Sequence, residues 1–205
     1  TWTELPSYGY FLLKFIKSQL DKKKYSINFK VISTNTTLKK NYKDNSKFFR
    51  DIKWINPDKI YNWHDLNLEN PHIYFQSGWN NKTFKNFAKI TKLKNKNSKI
   101  ILCIDNSLVK KSIRQFISIL NIKFFLRKKF DYVLVPGFSA RQLMLNCGFH
   151  KKQIFTGLYS SLVDIYKKYK FFQKGKKKQF IFVGRLVKVK NLERLIDAFN
   201  SITVN

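Results

Sequence analysis

The chain has 205 residues, of which 43% are hydrophobic and 17% aromatic; that is enough to fill a packed core and excludes a chain disordered throughout. Its 41 Lys and Arg residues against 12 Asp and Glu give a net charge of +29, so no acidic class of protein fits. The excess suits a chain rich throughout in Lys, Asn, Ile and Phe, as an AT-rich coding bias produces; an anionic membrane surface comes next, then nucleic acid held through its phosphates.

No run of about 20 apolar residues is present, so no spanning helix is expected, and no signal peptide opens the sequence. Cys103 and Cys147 stand far apart, without metal-ligand spacing, and fit a reducing compartment; Cys103 lies in an apolar run and reads as a small core residue. Residues 1–3 run at once into a loop over 4–9, where an α/β domain normally places a buried strand first. The far end stops one helix after a new strand. Both ends are therefore expected to be cut.

Short apolar runs alternate with longer amphipathic ones, the pattern of a parallel sheet wrapped by helices. Phe11, Leu12, Phe15, Ile16 and Leu20 predict a helix over 10–20, and residues 26–33 a strand. Residues 35–51 are polar and lysine-rich, a loop with a poorly defined helix. A buried strand is expected within 71–78, a basic amphipathic helix over 81–93, and the clearest strand over 99–105. A long helix should follow over 107–129. Val109, Ile113, Phe116, Ile117, Leu120 and Phe124 form its apolar face, which is expected to pack on the sheet. Its cations fit a solvated face or, in the second place, anionic lipid. Then come a strand over 131–135, a helix with Ser139 as N-cap and Gly148 as C-cap, and a short strand over 153–156. Residues 166–179 read as a linker. A new α/β unit opens with a strand over 180–183, a turn at Gly184, and a helix from about Lys190 carrying Leu192, Leu195, Ile196 and Phe199.

The strongest chemical signal runs from Phe182 to Asn191. A strand feeds a glycine turn, then Arg185 and Lys190, then a helix N-terminus, whose free amides and dipole favour an anion. Ligands of open α/β sheets sit at this carboxyl edge. The residues alone leave equal room for a plain turn with solvated cations.

The run Val183-Gly184-Arg185-Leu186, with Lys190-Asn191 and the helix pattern from Leu192 to Phe199, resembles the start of the second domain of the retaining GT-B glycosyltransferases, group 1 or family 4. The stretch from Phe130 to Gly137 with Ser139-Ala140-Arg141-Gln142, and Gly148 to Gly157 with its Lys152-Gln153-Ile154, resembles the end of that family's first domain. The family's common Asn-Gly-Val-Asp after this strand is replaced here by Gly157-Leu158-Tyr159-Ser160.

The resemblance implies two Rossmann-like domains: a first over 1–165, a linker over 166–179, and the beginning of a nucleotide-sugar-binding domain over 180–205. It implies transfer of a sugar from a nucleotide-diphosphate donor to a glycan or lipid-linked acceptor in cell-surface polysaccharide synthesis. Arg185 and Lys190 would grip the diphosphate, with Gly9 on a glycine loop before the first helix. The compartment would be cytoplasmic, either free or in peripheral contact with the anionic inner face of the plasma membrane, with no nucleic acid partner. Donor-binding carboxylates would lie beyond Asn205, leaving these residues inactive alone.

At the other strand ends, Asp105 and Asn106 are candidates for an acceptor hydroxyl, or caps for the helix near Ser107; Trp79 is a candidate for stacking on a sugar, or a core residue. Many family members carry a histidine near these places, and this chain has none there. There is no Asp-X-Asp, P-loop or G-x-G-x-x-G, and His64, His72 and His150 share no metal spacing, so neither metal nor cofactor is expected. The rival classes are a basic nucleic-acid-binding module and a non-catalytic GT-B-like scaffold.

Overall fold

The computed structural model describes residues 7–25, 27–28, 30–34, 52–56, 58–108, 113–159, 181–184 and 186–203. The chain divides into two compact units, Thr1–Ile165 and Tyr166–Asn205.

The first unit is α/β. Its strands β3 (Ile73–Ser77), β4 (Lys99–Cys103), β5 (Tyr132–Val135) and β6 (Ile154–Thr156) form a four-stranded sheet in chain order, and every pairing is parallel. Parallel neighbours need crossovers. Helices α2 (Lys82–Lys94), α3 (Ile113–Asn121) and α4 (Phe138–Asn146) lie in them. Two shorter strands, β1 (Val31–Ser33) and β2 (Ile52–Trp54), make a separate parallel pair, and α1 spans Ser7–Lys22. The strand expected over 26–33 is thus reduced to its last residues. β2 lacks any clear alternation, and the expected loop and helix over 35–51 lie outside the described residues.

In-register residues of parallel strands point to one face. On one face Tyr74, Gln76, Ile100, Leu102, Val133 and Ile154 are all buried. On the other, Ile73, Phe75 and Phe155 are exposed and Ile101, Tyr132 and Leu134 half-buried. The run 72–76 is therefore not the fully buried strand that its apolar content suggests; it alternates. The Tyr132 and Phe155 rings meet edge to face at 5.7 Å on the more open side.

Helix α2 covers the buried face. Asn81 caps it, its Oδ1 accepting from the Phe84 N–H at 3.0 Å. Thr83, Phe84, Phe87, Ala88 and Thr91 recur at helical spacing and are all buried. Phe87 stacks on Trp63 at 4.2 Å, and the Trp63 ring meets Tyr74 edge-on at 5.4 Å. The polar ends are satisfied: Trp63 Nε1 donates to Thr91 Oγ1 and Tyr74 Oη to the Phe84 carbonyl. Each phenylalanine so buried contributes about 1.5–3 kcal/mol.

Helix α4 closes on Gly148 as its sequence suggests. Gly148 has φ +85, its N–H bonds to the Leu145 carbonyl and that of Phe149 to Met144, the Schellman arrangement. A Cβ there would stand in ordinary contact, 3.4 Å from Lys123 Cγ and Arg127 Nη1, so the positive φ is what favours glycine. Ser139 is not the N-cap. Gly137 holds that place, and Ser139 Oγ accepts from the Leu108 N–H at 3.1 Å.

The amino edge of the sheet is tied by Asp131. Its carboxylate takes Lys92 Nζ at 2.8 Å and the Ile100 N–H at 2.7 Å, and its backbone carbonyl accepts from Gln153 Nε2. Lys92 Nζ also donates to the Ser98 carbonyl, so one lysine joins α2, the turn before β4 and the start of β5.

The expected long helix over 107–129 is corrected in two ways. Residues 107 and 108 are irregular and 109–112 lie outside the described residues; α3 passes at Ile122 into a π turn (Ile122–Leu126) and a 3-10 turn (Arg127–Lys129). Its strongest apolar stripe also does not pack on the sheet: Ile113, Phe116, Ile117, Leu120 and Phe124 are exposed, and α3 buries no residue. Contact with the core comes from Ile119, Ile122 and Leu126.

In the second unit, a 3-10 turn (Lys188–Lys190) leads to helix α5 (Leu192–Thr203). The strand expected at 180–183 does not form among the described residues 181–183; Ile181 and Val183 are 88% and 86% exposed. An extended segment needs a neighbour for its backbone groups, and the unit's described residues supply none.

Candidate functional site

The carboxyl ends of β3, β4, β5 and β6 define one edge of the first unit's sheet, the edge where open α/β folds bind ligands. β3 ends in Ser77 and turns at Gly78 (φ 69), with the Asn81 N–H bonded to the Gly78 carbonyl at 2.9 Å. Trp79 sits in this turn, half-buried and packed against the core. β4 is prolonged by Ile104, whose N–H bonds to the Leu134 carbonyl at 3.1 Å; Asp105 and Asn106 then emerge, both exposed. β6 turns back at Gly157 and Leu158, whose N–H groups both bond to the Val135 carbonyl, and this delivers Tyr159 to the same edge.

Asp105 does not cap a helix at Ser107. Its Oδ2 accepts from Tyr159 Oη at 3.0 Å, across 54 residues of sequence. Both groups are exposed, so an entering hydroxyl would meet a carboxylate and a phenol side by side. Nothing local in the sequence marks Tyr159 for this: the pairing exists only because β4 and β6 both end at one edge. Ser139 is the second group missed here, because its helix position suggests a cap and only the fold brings Leu108 to it.

The residues expected to bind a diphosphate fall differently. Lys190 is exposed, closing the 3-10 turn through its N–H to the Val187 carbonyl at 2.8 Å, two residues before α5 begins. Asn191 between them adopts a left-handed conformation (φ 55) and accepts the Leu195 N–H. Arg185 lies outside the described residues. Gly184 lies close under the Phe182 ring, 3.1 Å from where its Cβ would stand. Gly9 is not on a loop before the first helix: α1 begins at Ser7, so Gly9 lies in its first turn. Lys190 belongs to the second unit, and Gly9, Trp79, Asp105 and Asn106 to the first.

Neither cysteine is a nucleophile. Burial pushes the Cys103 thiol up to about 12 and that of Cys147 to about 11, so both stay protonated at neutral pH. Among the described residues no three His, Cys, Asp or Glu side chains converge as a metal site. A shallow pocket of about 390 Å³, lined by Arg127, Lys128, Phe130, Asp131, Tyr132 and Gln153, lies at the opposite, amino edge, where Asp131 is already engaged.

The class that fold and site define is α/β with a parallel four-stranded sheet flanked by helices, compatible with a Rossmann-like fold. The chain matches no family model, no curated protein and no solved structure. No helix among the described residues is long and apolar enough to cross a membrane.

Proposed function

We propose that the chain is part of a metal-independent GT-B glycosyltransferase of the retaining group 1 type, moving a sugar from a nucleotide-diphosphate donor to a glycan or lipid-linked acceptor on the cytoplasmic side of a membrane. The observation that carries this reading is Lys190, exposed and two residues before the start of α5, in the sequence setting Gly184-Arg185…Lys190-Asn191. Cations before a helix N-terminus stabilise the charge that develops on a departing diphosphate. The parallel sheet, with Asp105 and Tyr159 exposed at its carboxyl edge, supports an acceptor-side domain in which these two groups orient a sugar hydroxyl.

The test is donor binding and sugar transfer by the complete protein carrying Arg185→Ala or Lys190→Ala. Removing a charge-assisted contact should weaken donor binding about ten- to a hundredfold, with the thermal midpoint unmoved. Unchanged affinity in both variants would leave a scaffold. Salt-dependent binding to DNA or RNA with no donor affinity would leave a nucleic-acid-binding module.

A further inference from the structure

Helix α3 is built the wrong way round for a globular domain. Its core-facing side carries Gln115, Ser118 and Ile119, none of them fully buried, whereas Ile113, Phe116, Ile117 and, in the π turn, Phe124 are each at least 60% exposed. At about 100° per residue, Ile113, Phe116, Ile117 and Leu120 share one stripe, which Phe124 continues. A surface helix ordinarily turns such a stripe inward, and a contiguous exposed apolar patch marks a contact surface.

The charge around the stripe selects the contact. Between 113 and 129 the chain has five cations, Arg114, Lys123, Arg127, Lys128 and Lys129, and no acidic residue. Arg114 and Lys123 flank the stripe on opposite sides, both exposed. Lys123 Cγ and Arg127 Nη1 lie 3.4 Å from where a Cβ on Gly148 would stand, so the cationic end of the run passes beside the carboxyl end of α4. Apolar side chains with cations at their margin are the pattern of a helix lying in the headgroup layer: the stripe enters the acyl boundary and the long cationic side chains reach back to phosphates. A second copy of this chain would set the same cations against each other.

We infer that the outward face of α3 and its π turn seats the first unit on an anionic lipid bilayer. This goes beyond the sugar-transfer reading and does not depend on it: lipid binding and donor binding are measured separately, and either can fail alone.

The 205-residue chain is floated with vesicles of phosphatidylcholine alone and of phosphatidylcholine with phosphatidylglycerol. Binding is expected only to the mixed vesicles, weakened about fivefold by each of Arg114→Gln and Lys123→Gln and at least about tenfold by the combined Phe116→Ser, Ile117→Ser and Phe124→Ser variant. All are exposed positions, so circular dichroism and the thermal midpoint should stay as in the parent. An environment-sensitive fluorophore on Ile117→Cys, attached selectively because both native thiols are buried, should shift to the blue on the mixed vesicles. Four outcomes would overturn the inference: no binding to mixed vesicles, undiminished binding by the triple serine variant, a probe that stays in water, or a probe shift produced only by self-association or by an acidic protein.

Discussion

Helices α2 and α3 have similar credentials in sequence and opposite fates in the fold. α2 carries five lysines and α3 a single arginine, neither has an acidic residue, both repeat apolar residues at helical spacing, and each links two neighbouring strands of the same sheet. α2 turns Phe84 and Phe87 fully inward, where Trp63 and Tyr74 close over them; α3 turns Phe116 and Ile117 out. The difference does not lie in the helices. It lies in what distant residues place opposite them, since Trp63 and Tyr74 come from outside α2. Periodicity identifies a helix's apolar face, but only its neighbours decide whether that face is a core or a contact surface.

The sharpest way to break the comparison is to truncate the same residue type on both helices. Phe87→Ala should cost about 3–5 kcal/mol, whereas Phe116→Ala should stay within about 0.5 kcal/mol of the parent, both read by urea unfolding. Equal costs would mean that α3 is covered after all. Next in size, Asp131→Ala strips the carboxylate from Lys92 and the Ile100 N–H and should lose about 2–3 kcal/mol, while Lys92→Met should lose less because a backbone donor keeps its partner. Calorimetric midpoints for the two variants check that order.

A flaw on the α2 side sharpens the contrast further. Gln76 is fully buried in β3, and neither its Nε2 nor its Oε1 has a hydrogen-bond partner among the described residues. Gln76→Met should therefore raise stability by about 1–2 kcal/mol. A loss in the same denaturation experiment would instead place a bound water on the amide.

The effect that vanishes at neutral pH is that of the buried thiols. Burial raises both thiols above the ordinary 9.0, so the folded state keeps protons there that the unfolded chain releases. Stability from this source is complete below pH 9.0 and falls as pH climbs toward about 11 for Cys147, at about 1.4 kcal/mol per pH unit for each such proton. Cys147→Ala should flatten the alkaline decline in unfolding measured across that window and leave the neutral-to-pH-9.0 slope alone.

Much of the first unit was legible residue by residue. The strand over 99–105, the strand before Pro136, α2 and the Gly148 terminus follow from apolar runs, helical spacing and a glycine that supplies a left-handed φ, all of them local preferences. β2 escaped because three residues paired to β1 carry no alternation to detect. The strand expected at 180–183 failed for the converse reason: its composition suits a sheet, but the described part of its unit offers no second strand. Of the candidate site, Asp105 and Lys190 were visible as exposed charges at element ends, while Tyr159 was not, since its partner lies 54 residues away.

By itself the sequence determined the α/β alternation, the parallel sheet, the basic composition and the helix end at Gly148, because each rests on torsional preference, hydrophobic period or capping within a few neighbouring residues. Tertiary structure alone decided that one sheet face is buried and the other half open, that Asp105 holds Tyr159, and that α3 shows its apolar side to the outside. Those are matters of which distant side chains share a volume, and packing, unlike periodicity, is a property of the whole fold.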